Sequence, residues 1–246
     1  MSLGKDREQA STTSQDRGRL EKWYFESWHA YHKKRSAIRA LYCDFLKWAA
    51  SRSPFNLFKG AGRKALDVGC AHGYLVELLL HLGYEAYGCD VSRLYVHRYA
   101  RNLTGNLVVC DAQKLPFRWG SYDLITCFEV LEHLQDPSAF LGDCYRLLMP
   151  QGVLLLQTPW AIPTIDALFS RLYAKALLKA SSVVEHHVSE FRSKEEVERL
   201  LKHHGFKGHV ERWFLLPLNP LLFDRYFPTR LPISVPTFRI IGVKQR

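Results

Sequence analysis

No stretch of the 246 residues sustains the ~20 apolar side chains that a membrane-crossing helix needs, so none is expected. The amino-terminal segment carries no apolar run of the secretory-leader kind, which points to a cytoplasmic protein. No pair among the six cysteines is spaced Cys-x-x-Cys, which argues against a zinc knuckle or a dithiol redox centre. No metal site is expected, and the cysteines read as reduced, buried thiols. Internal repeats are missing too. Positive charge is scarce mid-chain: residues 60–160 hold 8 Lys and Arg against 10 Asp and Glu. Residues 1–59 hold 12 against 6 and residues 161–246 hold 14 against 8, so the net +10 sits on the flanks. Basic flanks suit an anionic ligand, a nucleic acid or an anionic membrane surface, and equally a plain solubilising surface. Nothing in the sequence sets an oligomeric state.

What is present concentrates in residues 64–73, Lys-Ala-Leu-Asp-Val-Gly-Cys-Ala-His-Gly. A short apolar run, Ala65 to Val68, ends in small residues and leads into the amphipathic stretch Tyr74 to Leu82, which reads as strand, tight turn, helix. Gly69 and Gly73 can take positive φ and let a ligand approach the backbone. The helix that follows aims its first N–H groups at whatever sits in the turn. Asp67 closes the strand, where an acid can accept from an ammonium or hydroxyl. The pattern Asp-x-Gly-x-Ala-x-Gly differs from the dinucleotide fingerprint Gly-x-Gly-x-x-Gly. Asp90 ends the next apolar run, the place where nucleoside-binding α/β proteins put an acid on the ribose hydroxyls.

Apolar runs at 65–68, 84–89, 107–110, 122–128 and 152–157 alternate with helical patterns at 74–82, 92–101 and 137–148. Buried strands alternating with helices predict an α/β fold with a doubly wound, mostly parallel sheet. Residues 1–19 are polar and read as a disordered tail. Residues 20–50 are helical in pattern with an aromatic stripe from Trp23 to Trp48, and the cap they form extends to 58. That stripe suits core packing, and also a cover for a pocket or a stacking surface. Residues 162–182, within an insertion at 161–192, read as a basic, apolar helical lid, also fit to lie on a membrane surface. A helix over 193–204 is framed by a capping box, Ser193 with Glu196, and by the stop Gly205. Strands over 209–216 and 237–244, joined by a Pro- and Leu-rich loop at 217–236, close the chain. Residues 20–246 form one expected domain.

Asp67 to Gly73, Asp90, Asp111-Ala112, Phe128-Glu-Val-Leu-Glu-His133 and Leu148-Met-Pro-Gln-Gly152 together resemble the class I S-adenosylmethionine (SAM)-dependent methyltransferases. Within that class the chain is most similar to the small-molecule group of ubiquinone and menaquinone methyltransferases. The likeness covers residues 60–160 and extends more weakly through His186 to Phe191 and Leu200 to Phe206. It implies a seven-stranded Rossmann-like sheet ending in an antiparallel hairpin, with SAM as cofactor. Carried over by position, Asp67 orients the loop or the methionine ammonium. Gly69, Cys70, Ala71 and Gly73 form the turn against the methionine part, with Ala71 standing for a usual glycine and tolerable there at negative φ. Asp90 accepts the ribose hydroxyls, Val91 packs on adenine, and Asp111 and the Ala112 N–H bond its edge. Phe128 faces the methionine end.

Transfer from a sulfonium asks the protein chiefly for positioning. A hydroxyl or amine acceptor can also need a base, for which His133, His186 and His187 are the candidates. For His133, local bonding at a helix start competes with catalysis. Glu129 and Glu132 read as acids at a helix start, and His203 and His204 as helix-end residues. The leading reading is transfer to a small, lipophilic or aromatic acceptor. An RNA or protein methyltransferase using the basic flanks stands second; against it, the Asn/Asp-Pro-Pro-Tyr tetrapeptide of base-amino methylating enzymes is missing. A SAM-binding protein without turnover stands third.

Overall fold

The computed structural model describes residues 35–99, 103, 105–160, 191–214 and 236–245. The expected polar tail, the first part of the helical cap, most of the lid insertion and the loop at 217–235 lie outside the described residues. Helix α1 (Arg35–Ala50) precedes β1 (Lys64–Val68), α2 (Tyr74–His81) and β2 (Glu85–Asp90). Then come β3 (Leu107–Val109), β4 (Tyr122–Phe128), α3 (Pro137–Leu147), β5 (Leu148–Pro159), α4 (Lys194–His203), β6 (Phe206–Phe214) and β7 (Pro236–Lys244).

The seven strands lie in the order β3, β2, β1, β4, β5, β7, β6. Strands β1 to β5 pair in parallel, whereas β7 runs antiparallel between β5 and β6. The order reverses between β1 and β4, so the carboxyl ends of these two strands flank a crevice, the usual ligand position of an open α/β sheet. Alternating side chains divide the core into two layers. On one face Ala65, Leu124, Val153, Leu155 and Ile241 pack with Phe45 and Leu46 of α1 and Leu75 and Leu79 of α2. On the other, Leu66, Ile125, Leu154 and Ile240 pack with Phe140 and Leu141 of α3 and Leu201 of α4. The strands are buried on both faces, as continuous apolar runs require.

Local chemistry accounts for the element ends. Asp136 caps α3 by accepting from the Ala139 N–H at 2.8 Å, with Pro137 in the first turn, where its missing N–H is harmless. Ser193 caps α4 by accepting from the Glu196 N–H at 3.1 Å. Glu196 reaches back one residue further than a standard capping box, to the Arg192 N–H at 3.1 Å. Gly205, at φ 83, turns the chain straight into β6. That strand therefore starts at Phe206, ahead of the expected 209.

Two other elements differ from expectation. The helix expected at 92–101 contains a π turn, Tyr95–Tyr99, in which Tyr95 is buried against the His72 ring at 4.8 Å. Strand β5 begins at Leu148 rather than 152, because a register shift opposite Tyr122 to Leu124 accommodates Met149–Gly152 within the strand. Among the described residues no helix is long and apolar enough to cross a membrane.

Candidate functional site

The turn after β1 is tied to the end of β2. The Gly69 and Cys70 N–H groups both donate to the Cys89 carbonyl, at 2.8 and 3.0 Å. The Gly73 N–H donates to the Cys70 carbonyl at 2.7 Å, which folds the turn back before α2 begins. Gly69 has φ 76, and a Cβ there would stand 2.2 Å from Val130 Cγ2, so glycine is required both by conformation and by space. Ala71 has φ 42, not the negative value assumed from its methyl group. Its N–H donates to Asp90 Oδ2 at 2.9 Å, and that bond holds alanine in a left-handed conformation costing about 1–2 kcal/mol.

Asp90 is the keystone of this turn. Its Oδ1 accepts from the Ser92 N–H at 2.8 Å while Oδ2 holds Ala71. A carboxylate has about four acceptor positions, and these two N–H groups take one on each oxygen. Val91 beside it is 70% exposed, an apolar side chain just past the end of β2. On the neighbouring strand end, Asp111 is exposed and accepts from the Gln113 N–H at 2.9 Å, and Ala112 is half-buried.

Asp67 lies beneath the turn, 4% exposed. Its Oδ1 accepts from Thr126 Oγ1 of β4 at 2.7 Å. Burial pushes its carboxyl up to about 7, the Thr126 hydroxyl pulls it down, and the Asp90 charge raises it. Cys70, Cys89, Cys127 and Cys144 are buried free thiols, raised by desolvation, with a hydrogen bond to Cys110 as the largest cause for Cys89. His72, inside the turn, is 6% exposed and stacks on Tyr74 at 5.5 Å.

At the end of β4, Phe128 is covered by α1. Its ring stacks on Tyr42 at 5.6 Å and meets Phe45 at 4.7 Å. The next residue, Glu129, has φ 55. Its N–H donates to the Gln157 carbonyl at 2.9 Å and its Oε1 accepts from Gln157 Nε2 at 2.8 Å. Glu132 is 2% exposed and accepts from Thr158 Oγ1 at 3.0 Å. Both glutamates are therefore fastened to the end of β5, a role the reading of them as helix-start acids missed. His133 closes a short 3-10 turn, half-buried, with Nε2 3.9 Å from Glu132 Oε1. His186 and His187 lie outside the described residues. His204 binds Ser138 Oγ at 2.8 Å, bracing α4 against α3.

The structure thus gathers Asp67 and Asp90, at the ends of β1 and β2, around the turn of Gly69, Ala71 and Gly73, with Asp111 and Val91 on one side and Phe128 and His133 on the other. Thr126, which donates to Asp67, and Gln157 and Thr158, which hold Glu129 and Glu132, brace these strand ends. Their only trace in the sequence is a polar residue interrupting an apolar strand.

The family model described as a methyltransferase domain matches residues 31–210. The chain belongs to that family. A ubiquinone biosynthesis O-methyltransferase from Thiobacillus denitrificans is 28% identical over 183 residues, 72% of this chain and 75% of that one. The YcgJ protein of Bacillus subtilis superposes with a TM-score of 0.61 at 20% identity, over 82% of this chain and 99% of that chain. Magnesium protoporphyrin IX methyltransferase from Synechocystis, solved with bound S-adenosylhomocysteine, gives 0.54 at 16% identity, over 88% and 84%. The two structures share the fold. The class I methyltransferase family uses SAM, and the cradle fits it: Gly69 and Gly73 take the positive φ of a tight turn at the α2 N-terminus, and Asp90 offers a carboxylate at the strand end.

Proposed function

We propose that this methyltransferase transfers the methyl group of SAM to an oxygen of a small, aromatic or lipophilic acceptor lying over the carboxyl ends of β4 and β5. The observation that carries the reading is Asp90, fixed by the Ala71 and Ser92 N–H groups at the end of β2. In this reading Asp90 accepts the ribose hydroxyls. Val91 packs on the adenine, and Asp111 with the Ala112 N–H bonds its edge. Asp67, Gly69, Cys70, Ala71 and Gly73 hold the methionine part. Relatives named for O-methylation in ubiquinone biosynthesis support an oxygen acceptor of quinone-like character.

SAM supplies an electrophilic methyl on a sulfonium. Held by the turn and Asp90, it would supply that methyl to the acceptor oxygen, whose hydroxyl proton would pass to a neighbouring base. Phe128, held under α1, walls the reacting end against water, and positioning supplies most of the acceleration. Of the candidate bases His133, His186 and His187, His133 lies among the described residues, just past the end of β4, and in this reading it takes the proton. The test is a pair of measurements on Asp90→Ala. Calorimetry should show SAM binding weakened by about 2–4 kcal/mol, from the loss of a charged acceptor for two hydroxyls. Radiolabel transfer to phenolic and quinol-like acceptors should disappear with it. Unchanged SAM affinity in a folded variant refutes the assignment, and labelling of bulk RNA or protein in its place refutes the acceptor class.

A further inference from the structure

The face that the β6–β7 hairpin turns toward α1 is unusually polar for a buried surface. Arg239 of β7 is 4% exposed. One terminal nitrogen, Nη2, pairs with Asp44 Oδ2 of α1 at 2.6 Å, and its guanidinium lies 3.6 Å from the Trp213 ring centre. Its Nε–H has no acceptor among the described residues. Thr237, two residues earlier and so on the same face of β7, is 5% exposed, and its hydroxyl also lacks a partner. Buried donors are almost always satisfied, so two neighbours left open on one face indicate a missing group.

Their place in the sheet says which group. Gln157 of β5 pairs with Phe128 on one side and with Arg239 on the other. Two strand spacings therefore separate Arg239 from Phe128, about 10 Å. Thr237 pairs with Pro159 at the carboxyl end of β5, the same edge on which Glu129 and His133 stand. A planar anion accepts from both an arginine N–H and a neighbouring hydroxyl, and the Trp213 ring keeps the guanidinium plane fixed while it does so. The Asp44 side chain is 58% exposed, so solvent screens its charge and a second carboxylate is tolerated.

We infer that Arg239 and Thr237 recognise a carboxylate on the acceptor, and so select an anionic aromatic acceptor over its neutral counterpart. The inference rests on the methyltransferase reading for the location of the acceptor. Two probes that differ only in the carboxylate test it: 3,4-dihydroxybenzoate and catechol. Methyl transfer from radiolabelled SAM and calorimetric binding to the full chain saturated with S-adenosylhomocysteine are measured for both. Wild type should favour 3,4-dihydroxybenzoate by about ten-fold in kcat/KM and in affinity, the scale of one charge-assisted hydrogen bond.

Arg239→Gln should bring that ratio close to one. Because this variant also leaves Asp44 unpaired, Thr237→Val serves as the second. Its lost hydroxyl bonds nothing among the described residues, so its melting temperature should match or exceed wild type, while its KM for 3,4-dihydroxybenzoate rises about five-fold with kcat retained. Equal binding of the two probes to wild type overturns the inference, as does an unchanged ratio in a folded Thr237→Val protein. If SAM binds and catechol is methylated without preference, only this inference falls. If SAM does not bind, the methyltransferase reading falls, and the binding ratio of the two probes, measured on the chain without S-adenosylhomocysteine, still decides the carboxylate site. Carboxylate-dependent binding without turnover upholds that site.

Discussion

Asp67 shows at a single residue how burial sets chemistry. Its carboxyl is pushed from 3.8 to about 7 by desolvation, with Thr126 acting against the shift and Asp90 adding to it. Between pH 4 and 7 the folded protein therefore holds a proton that the unfolded chain gives up. Stability from this group is full below the unfolded value and is lost as pH rises through about 7. A cationic ligand above the turn favours the ionised carboxylate, so SAM affinity should rise with pH by about ten-fold between pH 6 and 8. Asp67→Asn should remove that dependence. Calorimetry at both values measures it, and a flat wild-type profile would mean that Asp67 keeps its protonation state on binding. Ala71 is the counter-case. Its methyl group suggested negative φ, yet one hydrogen bond to Asp90 outweighs the local preference.

At the scale of elements, caps and turns were the most legible parts of the chain, because their determinants lie within a few residues. Ser193 accepts from the Glu196 N–H as the capping pattern requires. Ser193→Ala should lower stability by about 1 kcal/mol in urea denaturation and leave SAM binding unchanged. A loss under about 0.3 kcal/mol would show that solvent satisfies the same N–H. The strand ends were less legible. Glu129 and Glu132 follow β4 with helix-start spacing, yet both are held by side chains of β5, Gln157 and Thr158. Only the parallel pairing of β4 with β5 creates those contacts.

Across the whole molecule, α1 joins the cofactor side of the sheet to the hairpin side. Arg35 at its start pairs with Glu77 of α2. Phe45 is buried between Trp48 and Phe128, with the Arg239 guanidinium 5.4 Å from its ring. Trp48 Nε1 donates to Glu211 of β6 at 2.9 Å. Phe45→Ala should therefore cost about 3–5 kcal/mol in urea denaturation and also loosen Phe128 at the site, raising the KM of any acceptor. A loss below about 1 kcal/mol would show that α1 is not seated on the sheet as described.

The sequence by itself determined the alternation of buried strands and helices, the glycine turn after β1 and the acid at the end of β2. Each depends on side-chain period, on φ, or on neighbours close along the chain. The tertiary structure decided which polar side chains meet. Thr126 reaches Asp67 across 59 positions, and Arg239 reaches Asp44 across 195. No local pattern encodes such pairs, because sheet order and the seating of α1 bring them together only once the core is packed.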